Sequence, residues 1–204
     1  MLNLMVWASL RLDWVMENGE EGMGSGKKLI PENSMTPQPH PDSSHRMVNC
    51  AVITVSDTRS QPTDRSGQTI QKLLLEAGHG VIVYRIIPDE PTLIQDYLQE
   101  LAQRSDIEAI IFNGGTGIAP RDTTYDALVT LLDKTLPGFG EIFRYLSYQE
   151  IASRAIASRA IAGIYQSKLV FSIPGSTGAV KLALSQIIIP ELVHLITQLG
   201  IARD

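Results

Sequence analysis

The chain has 204 residues, of which 44% are hydrophobic and 19% are charged, and its formal net charge at pH 7 is −5. This composition is enough for one well-buried domain and excludes the overall basic field that draws proteins to nucleic acids or anionic membranes. We therefore expect small-molecule or protein partners, no nucleic acid and no membrane. No uninterrupted apolar stretch reaches the roughly 18 residues that a membrane span needs.

Cysteine and histidine usage argues against a disulfide framework and a zinc site. The single cysteine, Cys50, lies in an apolar run, which favours a buried thiol over a nucleophile. The four histidines are scattered without ligand spacing. This usage is typical of a reducing compartment, so we expect a cytoplasmic protein.

Residues 1–46 differ in composition from the rest of the chain. Their glycine, serine and proline content predicts a disordered N-terminal extension, followed by one domain over residues 47–204. The stretch GMGSGKK within the extension does not match a P-loop, because Glu21 and Lys28 stand where that pattern needs glycine and serine or threonine.

From Val48 onward, apolar runs alternate with helical patterns. Strands are predicted at 48–55, 81–87, 109–112 and 168–173, and helices at 68–76, 93–103, 124–132 and 179–199, the last with a kink or break at Pro190. The segment between residues 132 and 168 is predicted to be mainly helical and contains the repeat ASRAI at 152–156 and 157–161. This alternation predicts an α/β fold, a three-layer αβα arrangement with a mostly parallel central sheet.

Polar residues and glycines follow each predicted strand. In chain order these are Ser56-Asp57, Asp89-Glu90, Gly114-Gly115-Thr116-Gly117 with Asp122, and Pro174-Gly175-Ser176. Because ligands bind beyond the carboxyl ends of parallel strands, we expect these residues to share one edge of the sheet. Glycine turns suit phosphates and carboxylates suit Mg²⁺, so the pattern predicts a metal-assisted nucleotide site.

Each of these features also has a purely structural explanation. Glycines in a loop often serve a tight turn with positive φ, and an aspartate after a strand is often a cap of the next turn or helix. Glu141 and Arg144 lie three residues apart and are equally compatible with a solvated surface pair, and Arg159 either binds a phosphate or faces solvent. Because the strand-end residues are expected together at one edge of the sheet, we favour a ligand-binding site over a separate structural explanation for each residue.

The ordered motifs together resemble the MoaB/MogA family of molybdenum cofactor biosynthesis proteins, and gephyrin-type G domains are similar. The resemblance covers about residues 48–195 and rests on TVSDTR (54–59), DRSGQ (64–68), IPDE (87–90), NGGTGIAPRDTTYDA (113–127), LPGFGEIFR (136–144), SRAIAG (158–163) and IPGSTGAVKLA (173–183). It implies Mg²⁺-dependent transfer of an adenylyl group from ATP to molybdopterin, which gives adenylyl-molybdopterin and pyrophosphate.

The resemblance also assigns residues. It implies that Asp89 and Asp122 are the catalytic carboxylates and hold Mg²⁺. It implies substrate and nucleotide contacts at Ser56, Asp57, Ser66, Gly67, Gly114, Gly115, Thr116, Gly117, Glu141, Arg144, Ser158, Arg159, Pro174, Gly175 and Ser176. It further implies a homotrimer or homohexamer and, as a partner, the molybdenum-insertion enzyme of the same pathway.

One departure keeps a second interpretation open. The stretches LSYQEI, SRA and PGST resemble the MoaB branch, some members of which are suspected of lacking the activity and of replacing the acid of the PDE motif. This chain keeps that acid as Asp89. The alternative to an enzyme is therefore a member that binds molybdopterin or nucleotide without turnover, or a scaffold.

Overall fold

Strands and helices alternate along residues 46–200, the part of the chain described by a computed structural model. The strands are β1 (Asn49–Val55), β2 (Gly80–Ile87), β3 (Ala109–Asn113), β4 (Lys134–Thr135), β5 (Ile161–Tyr165) and β6 (Lys168–Ile173). The helices are α1 (Arg65–Glu76), α2 (Pro91–Ala102), α3 (Thr124–Val129), α4 (Pro137–Ile151), α5 (Thr177–Ala183) and α6 (Ile189–Gln198). The extension predicted at residues 1–46 lies outside the described residues, except for Arg46.

The six strands form one sheet in the order β2-β1-β3-β6-β5-β4. Strands β2, β1, β3 and β6 pair in parallel, whereas β5 pairs antiparallel with both β6 and β4. Parallel pairing requires crossover connections, and these place the carboxyl ends of the four parallel strands at one edge. The predicted mostly parallel sheet is confirmed.

Two hydrophobic cores cover the two faces of this sheet. Cys50 and Val52 of β1 pack with α1, α4, α5 and α6, whereas Ala51 and Ile53 pack with α2 and α3. This alternation follows from the two-residue period of a strand, and it confirms the predicted three layers. Burial raises the pKa of the Cys50 thiol to about 12, so this side chain stays protonated as a core residue.

Strand β5 is a correction to the prediction of mainly helical structure between residues 132 and 168. Helix α4 ends at Ile151, a 3₁₀ turn covers Ala152–Ala157, and β5 then joins β6 through a two-residue hairpin. The hairpin residues Gln166 and Ser167 have φ values of 45° and 64°. Such turns usually contain Asn-Gly, so this hairpin carries no recognisable turn signal in the sequence.

The last helical segment runs without interruption over Thr177–Gln198, and a π turn at Leu184–Ile188 separates α5 from α6. The turn ends two residues before Pro190, which has no N–H to donate, so the backbone is irregular near this residue but the helix is not broken. Among residues 46–200 this is the one helix long and apolar enough to cross a membrane. Lys181 and Glu191 interrupt its apolar sequence. Leu184 and Ile188 are fully buried in the core, as in the core helix of a folded domain.

Ala152 has a strained backbone and offers a stabilising substitution. At the end of α4 it adopts φ 51° and ψ −140°, where a residue with a Cβ costs about 1–3 kcal/mol and glycine does not. We expect Ala152→Gly to increase the free energy of unfolding by about 1 kcal/mol in urea denaturation. Ala157, its counterpart in the second repeat copy, is not among the residues with positive φ, so Ala157→Gly is the matched control and should give no gain. Equal losses in both variants would contradict the strain.

Candidate functional site

The carboxyl ends of the parallel strands meet as the sequence predicts. The backbone N–H of Ser56, directly after β1, donates to the carbonyl oxygen of Ile87 at the end of β2, at 2.8 Å. The backbone N–H of Gly114, directly after β3, donates to the carbonyl oxygen of Ile173 at the end of β6, at 3.0 Å. The four predicted strand-end segments therefore share one edge, which we call the carboxyl edge.

The glycine turn after β3 is closely packed against its neighbours. Gly114 has φ 107°, and a Cβ added to it would lie 2.3 Å from the carbonyl oxygen of Val55. A Cβ on Gly175 would lie 3.1 Å from the Cα of Gly114. Tight backbone packing thus accounts for these two glycines, and their contact with a ligand stays a prediction.

Asp89 connects the end of β2 to the start of α3. The residue is 8% exposed, and its Oδ1 accepts hydrogen bonds from the backbone N–H and the hydroxyl of Thr123, at 3.1 and 2.7 Å. Its Oδ2 lies beside Gly115, together with the hydroxyl of Thr124, since a Cβ on Gly115 would meet them at 2.4 and 2.2 Å. That buried hydroxyl has no hydrogen-bond partner among the described residues.

Asp122 closes the loop between β3 and α3. Its Oδ2 accepts a hydrogen bond from the backbone N–H of Ala119 at 2.9 Å and lies next to Gly117. The next residue, Thr123, donates hydrogen bonds to Asp89. The loop that contains Asp122 is therefore also the loop that contacts Asp89. Residues 46–200 contain no group of three or more His, Cys, Asp or Glu that could hold a metal. The pair fits only the mode in which one or two carboxylates and substrate phosphates share a Mg²⁺ ion.

Asp57 lies between Asp89 and a surface arginine. Its Oδ1 accepts from the backbone N–H of Asp89 at 3.1 Å, and its Oδ2 accepts from Arg121, which also lies 3.9 Å from Glu90. The hydrogen bond from Asp89 and the contact with Arg121 together hold the pKa of the Asp57 carboxyl below its usual value, although partial desolvation opposes them. Asp57 is therefore ionised and supports Asp89.

The guanidinium of Arg159 binds the loop between β3 and α3 and does not face solvent. Its Nε donates to the carbonyl oxygen of Gly117 at 2.9 Å and its Nη2 to that of Asp122 at 2.7 Å. Its Nη1 donates to the carboxylate of Asp126, and the group lies 5.1 Å from the centre of the Tyr125 ring. The structure thus shows Arg159 as a clamp on the loop between β3 and α3, and phosphate binding by it stays a prediction.

Other predicted residues lie at three places. The hydroxyl of Ser176 accepts from the backbone N–H of Ala179 and caps α5. Glu141 and Arg144 line a separate cavity of about 360 Å³ whose wall also includes Tyr125. The hydroxyl of Ser158 accepts from the backbone N–H of Ala160, at 3.4 Å.

Asp64 is a site-edge residue that the sequence analysis did not single out. It is fully buried and caps α1, accepting a hydrogen bond from the backbone N–H of Gly67 at 2.9 Å and one from the hydroxyl of Ser66 at 2.8 Å. The predicted ligand residues Ser66 and Gly67 thus both contact this carboxylate. An aspartate directly before a helix start was the available signal, since it is a preferred N-cap.

The fold and the carboxyl edge define a class: a three-layer α/β protein with glycine turns and carboxylates at one edge of its sheet. The family model described as "Probable molybdopterin binding domain" matches residues 51–194. The chain belongs to this family.

Similar proteins with known names or structures support this family assignment. Molybdenum cofactor biosynthesis protein B of Halalkalibacterium halodurans is 54% identical over 166 residues, which cover 81% of this chain and 98% of that protein. The protein of the same name from Bacillus subtilis is 49% identical with the same coverage. The crystal structure of the tungsten cofactor synthesizing protein MoaB from Pyrococcus furiosus, 35% identical, matches with a TM-score of 0.68 over 76% of this chain and 98% of that one.

Proposed function

We propose that this chain acts in molybdenum cofactor biosynthesis as a molybdopterin adenylyltransferase. In this reaction the terminal phosphate of molybdopterin attacks the α-phosphate of ATP, which forms adenylyl-molybdopterin and releases pyrophosphate. The family match and the relatives named molybdenum cofactor biosynthesis protein B support the pathway. The observation that supports the chemistry is the position of Asp89 and Asp122 on one loop contact beside the glycine turn.

The residues of the carboxyl edge suit the roles this reaction requires. Gly115 and Gly117 expose backbone without side chains, which favours close approach of phosphate groups. Asp89 and Asp122 would hold Mg²⁺, which neutralises charge on the reacting phosphates when bound. Asp57 and Thr123 hold Asp89 in place beforehand, so its carboxylate needs no rearrangement when the substrates arrive.

A second candidate is a member that binds molybdopterin or nucleotide without turnover. One observation favours it: Oδ1 of Asp89 and Oδ2 of Asp122 each accept a backbone N–H, so both acids have structural partners that a pure binder would also keep. These structural roles therefore do not by themselves require catalysis.

A turnover assay separates these candidates. The purified chain is incubated with molybdopterin, ATP and Mg²⁺, and adenylyl-molybdopterin is measured by mass and pyrophosphate by a coupled assay. We expect both products in equal amounts, and none after removal of Mg²⁺ with EDTA. Thermal shifts with pterin or nucleotide but no product would identify a binder, and no shift with either would leave a scaffold.

We also propose the assembly and setting that the family resemblance implies. These are a cytoplasmic homotrimer or homohexamer that passes its product to the molybdenum-insertion enzyme of the pathway. Light scattering of the purified chain measures the oligomer directly, and a monomer would contradict this part of the proposal.

A further inference from the structure

Asp64 accepts more hydrogen bonds than Asp57, Asp89 or Asp122, although it lies at the start of α1 and not in the carboxyl edge. Its Oδ2 accepts from the hydroxyls of Thr54 on β1 and Tyr84 on β2, and its Oδ1 accepts from Ser66 and Gly67 on α1. Burial by itself raises the pKa of Asp64, but these four donors outweigh burial and hold the pKa below its ordinary value. Asp64 is therefore a buried anion that joins two strands and a helix.

Arg59 extends this network to the loop after β6. Its Nη1 lies 3.5 Å from Oδ1 of Asp64 and donates to the hydroxyl of Ser66, and its Nη2 donates to the carbonyl oxygen of Gly175 at 2.9 Å. Gly175 in turn packs on Gly114. Because the guanidinium is planar and its donors are fixed relative to each other, holding one side of it sets the position of the other.

A second branch runs through Thr54 to the end of β3. The hydroxyl of Thr54 donates to Asp64 and accepts from Nδ2 of Asn113 at 2.7 Å. Asn113 is fully buried and directly precedes Gly114. The charge of Asp64 fixes the direction of the Thr54 hydroxyl, and that hydroxyl fixes the amide of Asn113.

We propose that Asp64 is a positioning residue that sets the spacing of the two glycine turns, after β3 and after β6, through Arg59 and Thr54. It contacts neither turn itself and is separate from the acids Asp89 and Asp122. The kinetic consequence rests on the proposed adenylyl transfer, whereas the effect on the two turns does not. A carboxylate that only capped α1 would need neither the contact with Arg59 nor the bonds from two strands.

The test is Asp64→Asn, which keeps the size of the side chain but removes its charge and places an NH₂ donor against existing donors. Hydrogen exchange of the backbone amides at 114–117 and 175–178 should accelerate about tenfold or more, while the β5–β6 hairpin keeps its rates. In the turnover assay kcat should fall about 100-fold with a much smaller change in the KM for ATP, as expected when groups are misplaced rather than lost.

Two further variants keep this test decisive if Asp64→Asn folds poorly. Arg59→Lys leaves Asp64 and its other donors in place but interrupts the connection to Gly175, and it should reproduce the faster exchange at 175–178. The matched control is Asp133→Asn, since Asp133 also accepts a backbone N–H, from Gln166 at 2.7 Å, but at the β5–β6 hairpin. Its effect should stay at that hairpin.

The outcomes separate this proposal from the proposed function. Uniformly faster exchange in Asp64→Asn, with no change in Arg59→Lys, would show that Asp64 only stabilises the fold and would overturn the proposal. If the unmodified chain has no turnover, the adenylyltransferase proposal fails, but the exchange pattern still decides the role of Asp64.

Discussion

Asp89→Asn is expected to lower kcat for adenylyl transfer by about 100-fold or more, with little change in pterin affinity. The substitution preserves the shape of the side chain and one acceptor for Thr123, so the contact between the end of β2 and the start of α3 remains. It removes the negative charge beside Gly115, where the proposed Mg²⁺ and phosphates meet. The measurement is steady-state release of pyrophosphate, together with pterin binding by calorimetry.

Two companion variants sharpen this result. Asp122→Ala should also abolish turnover while pterin binding remains, and because both acids act as a unit the double variant should lose little more than either alone. Asp96→Asn is the control, because Asp96 is an exposed carboxylate on α2. Full activity of Asp89→Asn would refute the catalytic role of this acid.

Gly114→Ala is expected to lower the free energy of unfolding by about 3 kcal/mol, the sum expected for an unfavourable φ and an overpacked contact. At φ 107° a side chain is rarely tolerated, and the new Cβ would lie 2.3 Å from the carbonyl oxygen of Val55. That oxygen is backbone of β1, so no side-chain rotation relieves the contact. Urea denaturation followed by circular dichroism gives the loss.

Gly178→Ala provides the comparison for this variant. An added Cβ on Gly178 meets nothing within 4 Å, and the residue lies in the first turn of α5, where alanine is favoured over glycine. We expect no loss of stability there. Equal stability of Gly114→Ala and the parent chain would show that the turn after β3 can relax, and that its tightness does not explain the glycine.

The sequence was sufficient to predict the parallel part of the sheet. The apolar run in β1 and the helical periodicity in α2 are local signals, and alternation of strand and helix constrains the connections enough to predict one common edge. It also pointed to Asp89 and Asp122, because both follow strand ends. The partners of these acids, Thr123 and Ala119, depend on how loops fold against one another, and no spacing rule gives them.

Residues that act through contacts distant in sequence were not accessible in this way. Asp64 is joined to Tyr84, 20 residues away, and Arg59 to Gly175, 116 residues away. In the sequence alone, Asp64 and Arg59 resemble ordinary polar loop residues. Their roles become visible only when β1, β2 and β6 bring them together.

The ASRAI repeat shows this limit most directly, because the same five residues occur twice with different structures. The first copy, 152–156, lies in a 3₁₀ turn that leaves Ile156 88% exposed. The second, 157–161, places Arg159 on the loop after β3 and begins β5 at Ile161. The sequence by itself determined the parallel core, the carboxyl edge and its acids, since these depend on periodicity and chain order. Only the tertiary structure decided that the second copy binds the loop between β3 and α3 and begins a strand. The reason is that only this copy lies beside the pairing edge of β6 and the carbonyl oxygens of that loop.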